Sequence, residues 1–241
     1  MIYKIYPLLV FLLLSFGKDS KNTSELKTAT TRSIAKVEKK LTVDAKIENI
    51  YYSLNSNNFK LPELKSFSEA LKGFYLLKER GIIQKNILTL VDFSLSSNTK
   101  RLWVIDMTTN TILFNSLVAH GRNTGEEFAT AFSNLNSSFK SSLGFYATGE
   151  IYQGKHGASL RLDGLERGVN DNARERGVVM HGADYVSESF IRDHKRLGRS
   201  QGCPAVPVEL TDEIIETIKD KSCLYIYHPS RSFTMEERLM S

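Results

Sequence analysis

At 241 residues with 41% hydrophobic side chains, the chain can bury one sizeable core, which excludes a wholly disordered protein and makes one main domain the default. Lys and Arg outnumber Asp and Glu by 32 to 27, and the resulting +5 is scattered rather than gathered into a stripe; this argues against a nucleic-acid partner and suits an anionic polymer. Two cysteines limit any disulfide framework to a single bridge.

Read in chain order, Met1 to Phe16 carries one Lys and an apolar run from Pro7 to Leu14, then turns polar at Gly17-Lys18-Asp19-Ser20. Residues 1–17 therefore read as a signal peptide, with an imperfect small-x-small site at Ser15-Phe16-Gly17. The run is shorter than the ~20 residues of a comfortable membrane span, although an uncleaved leader would tether the protein to the membrane. No Cys follows it to carry a lipid anchor. Residues 18–86 read as a Lys-, Ser-, Thr- and Asn-rich tether followed by a helical segment. Ile34, Val37, Leu41, Ile47 and Ile50 recur at helical spacing, and a second helix, capped by Ser66, carries Ala70, Leu71, Phe74, Tyr75 and Leu77 and ends near Gly81.

After Asn86 the period changes to that of strands. Ile87–Phe93, Arg101–Met107 and Thr111–Ala119 read as strands, with a hairpin turn at Thr109-Asn110. The polar stretch from Gly121 to Ser142 has no strong period and reads as a loop over a binding surface. Short strands follow at Gly144–Thr148 and Ser159–Leu162, and Gly177–Met180 is the strand that delivers His181. Ser187 to Lys195 reads as partly helical, and Val208 to Lys219 as an amphipathic helix with Leu210, Ile214, Ile215 and Ile218 on one side. A last strand, Leu224 to His228, precedes a charged tail over 231–241, which leaves residues 87–230 as the main domain.

Two short motifs carry chemistry: Met180-His181-Gly182-Ala183-Asp184-Tyr185, then Gly198-Arg199-Ser200-Gln201-Gly202-Cys203-Pro204. A thiol attacks only as thiolate, and a histidine beside it accepts its proton and, as imidazolium, lowers its pKa. Taken singly, a Cys is often a small core residue and a His a structural hydrogen-bonding group. Here the Gly-flanked Cys203 lies in a segment with no apolar periodicity to explain its burial, so it is the reactive candidate and His181 its base. Gly202 beside Cys203 could free N–H groups to face a developing oxyanion. Cys223, in the alternating run Ser222-Cys223-Leu224-Tyr225-Ile226-Tyr227, is the structural thiol. His120 and His156, each before a Gly and after an apparent strand, are candidate substrate-binding residues, together with Arg199 and Gln201. Arg161, Arg174, Arg176 and Arg192 could recognise carboxylates but are weaker candidates. The His and acidic residues form no metal signature, and the chemistry calls for no cofactor.

The His-Gly and Ser-x-Gly-Cys elements resemble those of the L,D-transpeptidase catalytic domain, the YkuD-like fold, in its murein L,D-transpeptidase branch. Val118-Ala119-His120-Gly121-Arg122, Phe132-Ser133-Asn134, Ser141-Ser142-Leu143-Gly144-Phe145-Tyr146, Gly154-Lys155-His156-Gly157 and Leu162-Asp163-Gly164-Leu165 extend the likeness over roughly Leu90 to Pro229. The resemblance implies a mainly β (α+β) fold, a sandwich of mixed sheets with short helices, here preceded by an N-terminal helical segment. It also implies a secreted acyltransferase of the periplasm or cell envelope that acts on peptidoglycan stem peptides through a Cys thioester. By the same resemblance, the Gly182 carbonyl orients the His181 ring, the Gly202 and Cys203 N–H groups are oxyanion donors, and Ser200 supports the loop. The chain departs from the wider pattern by having Gln201 where a His is common and Ala205 where an Arg is usual. Arg199 is a candidate to replace the lost charge or to bind a substrate carboxylate. An L,D-carboxypeptidase on the same stems and a catalytically silent wall-binding module are the alternative readings.

Overall fold

Two runs of the sequence bury both alternating sets of their side chains, Leu88 to Asp92 and Cys223 to Tyr227, and a strand of that kind needs cover on both faces. The computed structural model describes residues 42–155 and 157–231. The leader, most of the tether, the first half of the Ile34–Ile50 pattern, His156 and the tail beyond 231 lie outside the described residues.

The two buried runs are β1 (Ile87–Asp92) and β8 (Cys223–Tyr227), which pair in parallel with Leu88 opposite Cys223 and Asp92 opposite Tyr227. Antiparallel to β1 run β2 (Leu102–Asp106) and then β3 (Thr111–Ser116), joined by a turn in which Asn110 adopts φ 52°, as the Thr109-Asn110 signal predicts. On the other side of β8 lies the long hairpin of β4 (Gly144–Gly154) and β5 (Gly157–Gly164), then β6 (Val179–Gly182) and a two-residue β7 (Ala205–Val206). The order β3-β2-β1-β8-β4-β5-β6-β7 makes one eight-stranded mixed sheet that nearly closes on itself, with four short helices among the described residues. The mainly β, α+β expectation holds.

Period-two alternation decides which side chain faces which core. Leu88, Leu90, Trp103, Ile105, Phe145, Ala147, Cys223 and Tyr225 point to one face, where α1 (Val43–Tyr52) and α2 (Leu64–Glu79) cover them. Phe67, Leu71, Phe74 and Leu77 of α2 are buried there, and Gly73 packs so tightly on the Phe145 ring that a Cβ would lie 2.0 Å from its tip. Val91, Leu102, Val104, Tyr146, Leu224 and Ile226 face the other way, against Ile214, Ile215 and Ile218 of α4 (Val208–Ile218). A short α3 (Glu188–His194), capped by Ser187 Oγ accepting from Phe190 N, completes the elements.

Several boundaries differ from the sequence reading. Ser66 lies inside the first turn of α2 and donates to Glu63 O, because the helix begins earlier, after Glu63. The third strand stops at Ser116, and between it and β4 the chain makes only isolated bridges, Ala119 to Ala205 and Gly121 to Ser200 among them. The hairpin β4–β5 is longer than the two short strands predicted: Gly149 and Gly154 interrupt the apolar pattern, but the ladder continues past a register shift between Thr148 and Ile151.

Candidate active site

His181 is carried by β6, whose pairing with β5 puts it opposite Ser159 and whose parallel pairing with β7 puts it opposite Ala205, two residues after Cys203. Adjacent strands thus bring together two residues far apart in sequence. Nδ1 of His181 lies 2.8 Å from the Gly182 carbonyl oxygen. A carbonyl only accepts, so in the neutral ring Nδ1 bears the hydrogen and Nε2 is the basic nitrogen. His181 is buried, Cys203 is half-buried, and both line one cleft of about 440 Å³.

The loop that presents Cys203 is held by a serine on each side. Ser200 Oγ accepts from Gly202 N–H at 3.0 Å and donates to the Cys203 carbonyl at 2.6 Å, while the Ser200 backbone exchanges hydrogen bonds with His120 O and Arg122 N. From the opposite wall, Ser141 Oγ donates to Gly202 O and accepts from Gly121 N–H. Gly202 adopts φ +123°, a conformation that side chains rarely adopt, and Lys140 O lies 2.9 Å from where its Cβ would be. The Gly202 N–H is therefore engaged inside the loop. The Cys203 N–H makes no hydrogen bond among the described residues and so stays available to an oxygen in the cleft.

Burial is the largest influence on the Cys203 thiol and pushes its pKa up; the Val179 N–H, Arg176 and Lys155 pull it the other way. The thiol lies 3.8 Å from Gly177 O, its hydrogen-bond acceptor. Such a site keeps the sulfur protonated until a base removes the proton. Tyr185, also on the cleft, is pushed up to about 12, first by burial and then by Cys203 and Asp184, so it stays a neutral phenol. Gln201 is exposed at the cleft mouth.

The other residues singled out from sequence are placed differently. His120 does not line the cleft; it is buried behind the loop, where Arg101 donates to its Nδ1 at 2.8 Å and its Nε2 faces Gly125 O at 3.3 Å. Burial first, and then the Arg101 charge, hold its pKa down to about 4, so it is neutral and structural in character. Arg199 reaches the cleft wall, but its guanidinium is committed to Glu126 at 2.6 Å and to the Arg122 and Gly125 carbonyls. The cations that act on the thiol are instead Arg176 and Lys155. Arg174 and Arg161 are tied to Glu150 in a cluster outside the cleft lining, with Arg161 stacked at 4.4 Å on the ring of the cleft residue Tyr152, and His194 stacks on Phe190 at the surface. Among the described residues, no three His, Cys, Asp or Glu side chains form a metal-holding group.

Sequence reasoning did not single out Lys155, Tyr185, Tyr152 or Phe139, which also line the cleft. Two of them carried a signal: Tyr185 through its place four residues after His181 in the same motif, and Lys155 through its place beside His156 in Gly154-Lys155-His156-Gly157.

Solved structures that resemble the chain include an L,D-transpeptidase from Mycobacterium smegmatis, at 10% identity over 59% of this chain and 59% of that one, with a TM-score of 0.38. The helical cell shape determining protein Pgp2 from Campylobacter jejuni is 15% identical over 65% of this chain and 55% of its own, with a TM-score of 0.39. An L,D-transpeptidase from Xylanimonas cellulosilytica is 11% identical, covering 60% and 61% with a TM-score of 0.36. The chain thus spans about three-fifths of the length of these proteins or less. No curated protein sequence matches it. The L,D-transpeptidase catalytic domain family matches residues 26–227, most of the chain, and this protein belongs to that family.

Proposed function

We propose that this protein is an exported cysteine acyltransferase that cross-links peptidoglycan stem peptides through a Cys203 thioester, with residues 87–230 carrying the chemistry and 1–17 serving as the export leader. The observation that carries the reading is the shared cleft of His181 and Cys203, with the imidazole held in its Nδ1–H tautomer by the Gly182 carbonyl. No helix of the described residues is long and apolar enough to cross a membrane.

In this scheme His181 Nε2 takes the Cys203 proton, and Sγ attacks the carbonyl at the L-centre of diaminopimelate in a tetrapeptide stem. The Cys203 N–H receives the developing oxyanion; a preorganised donor of that kind is worth about 3 kcal/mol in the transition state. The C–N bond breaks, the imidazolium returns its proton to the departing D-Ala amine, and a thioester remains. An amine of a neighbouring stem then attacks the thioester, passes its proton to His181 and frees the thiol, which leaves a cross-link; water in its place gives a tripeptide. Ser200 fixes the loop, and Gln201 stands at the mouth where the substrate enters.

The test is intact-protein mass spectrometry with tetrapeptide muropeptides and, separately, with a carbapenem. A Cys203 adduct with cross-linked dimers supports transpeptidation, and an adduct with tripeptide alone turns the assignment to a carboxypeptidase. No adduct from folded, reduced protein leaves a wall-binding module.

A further inference from the structure

Arg176 stands in the turn that precedes β6, one residue before the Gly177 carbonyl that accepts from the Cys203 thiol. Its guanidinium passes under the Cys203 loop to the facing wall. Nη1 donates to Ser133 O at 2.9 Å and Ser142 Oγ at 2.5 Å, and Nη2 to Ser138 Oγ at 3.2 Å and Lys140 O at 2.8 Å. Nη2 also lies 3.5 Å from the position a Cβ would take on Gly202, next to Cys203. All four Nη hydrogens are thus spent on neutral oxygens.

A guanidinium is ordinarily half-buried in company with a carboxylate. Arg176 has no ion pair among the described residues, and no Asp or Glu lines the cleft it borders. Its charge is therefore not neutralised locally. The groups that face Cys203 from the elements packed around it are His181 on β6, Lys155 at the β4–β5 turn, Tyr185 after β6, and Arg176. Arg199, on the cysteine's own loop, is answered by Glu126. Burial lowers the pKa of Arg176; Tyr146, a buried phenol, and then Cys203 act to raise it, the second being the reciprocal of the pull that Arg176 exerts on the thiol.

From this arrangement we infer that Arg176 is a positioning residue that buttresses the 133–142 wall through neutral oxygens and reserves its charge for the Cys203 thiolate. The inference rests on Cys203 being the nucleophile, but its test does not require acyl transfer. The full chain, wild type and as Arg176→Met and Arg176→Lys, is alkylated with iodoacetamide across a range of pH, and the Cys203 adduct is followed by peptide mass spectrometry. Arg176→Met is expected to raise the midpoint of alkylation by about one unit, which makes the reaction about tenfold slower below the midpoint. Arg176→Lys, which keeps the charge and loses the fork, is expected to stay near the wild-type midpoint. Coincident midpoints for Met and wild type, or a Lys variant that shifts as far as Met, would overturn the inference, the second because the effect would then belong to the loop bonds. Should Arg176→Met lose its native circular dichroism, Arg176→Gln, which keeps a donor for Lys140 O, serves the same comparison. A shifted midpoint in a protein that no muropeptide or carbapenem acylates would sink the transferase reading and leave this one standing.

Discussion

The two cysteines of this chain occupy opposite kinds of surroundings. Cys223 opens β8 on the helix-backed face of the sheet, between Leu88 and Ala147 of its neighbouring strands, and burial alone drives its pKa far up. Cys203 ends a loop over a polar cleft, where burial also raises the pKa but a backbone N–H and two cations act against it, and where a histidine of fixed tautomer lines the same space. A thiol is thus inert or reactive according to what opposes the cost of charging it. The first environment offers nothing in return for that cost; the second offers several partial returns, each from a different element of the fold.

The sharpest way to break this contrast is Cys203→Ala, which is expected to abolish carbapenem and muropeptide acylation; an adduct that persists would move the chemistry elsewhere. Next comes His181→Ala, expected to slow single-turnover acylation by about 10²–10⁴-fold without a change in the circular dichroism, since the proposed base goes while the fold remains. Acid probes the packing behind the loop. His120 is held neutral down to pH about 4, whereas in the unfolded chain it takes up a proton near 6.5. Between those values the unfolded state binds more protons, so stability is full above 6.5 and falls with pH by up to about 3 kcal/mol at or below 4. Denaturant melts at stepped pH would show this, and His120→Gln should flatten the slope. The smallest effect belongs to Cys223→Ala, expected to cost about 1 kcal/mol in packing and to leave acylation intact. Loss of acylation in this variant, with Cys203 present, would reverse the roles of the two thiols.

Local chemistry made much of this legible from sequence. His-Gly and Ser-x-Gly-Cys are contiguous motifs, the strands alternate with period two, and Ser187 caps α3 as a short polar residue can. What stayed hidden was non-local. Arg176 looks in sequence like Arg174, two positions earlier, yet one lies against the thiol loop and the other in an exposed cluster with Glu150 and Asp163. His120, with its following Gly and preceding strand, has the local context of a ligand-binding residue; the buried Arg101 that claims its ring comes from 19 residues away. The two residues of β7 are too few to carry a period, although they supply the pairing that sets Cys203 beside His181.

The place of β8 between β1 and β4 also orders events in time. Without residues 223–227 the ladder divides into β3-β2-β1 and β4-β5-β6-β7, each with an unpaired edge where β8 belongs, linked at their far ends by the bridges of Ala119 to Ala205 and of Gly121 to Ser200. Closing the sheet then joins strands more than a hundred residues apart in the chain, the kind of long-range contact that slows folding. The histidine and cysteine are therefore synthesised before the strand that completes the sheet around them, and the cleft they line has its full support only when nearly the last described residue is made.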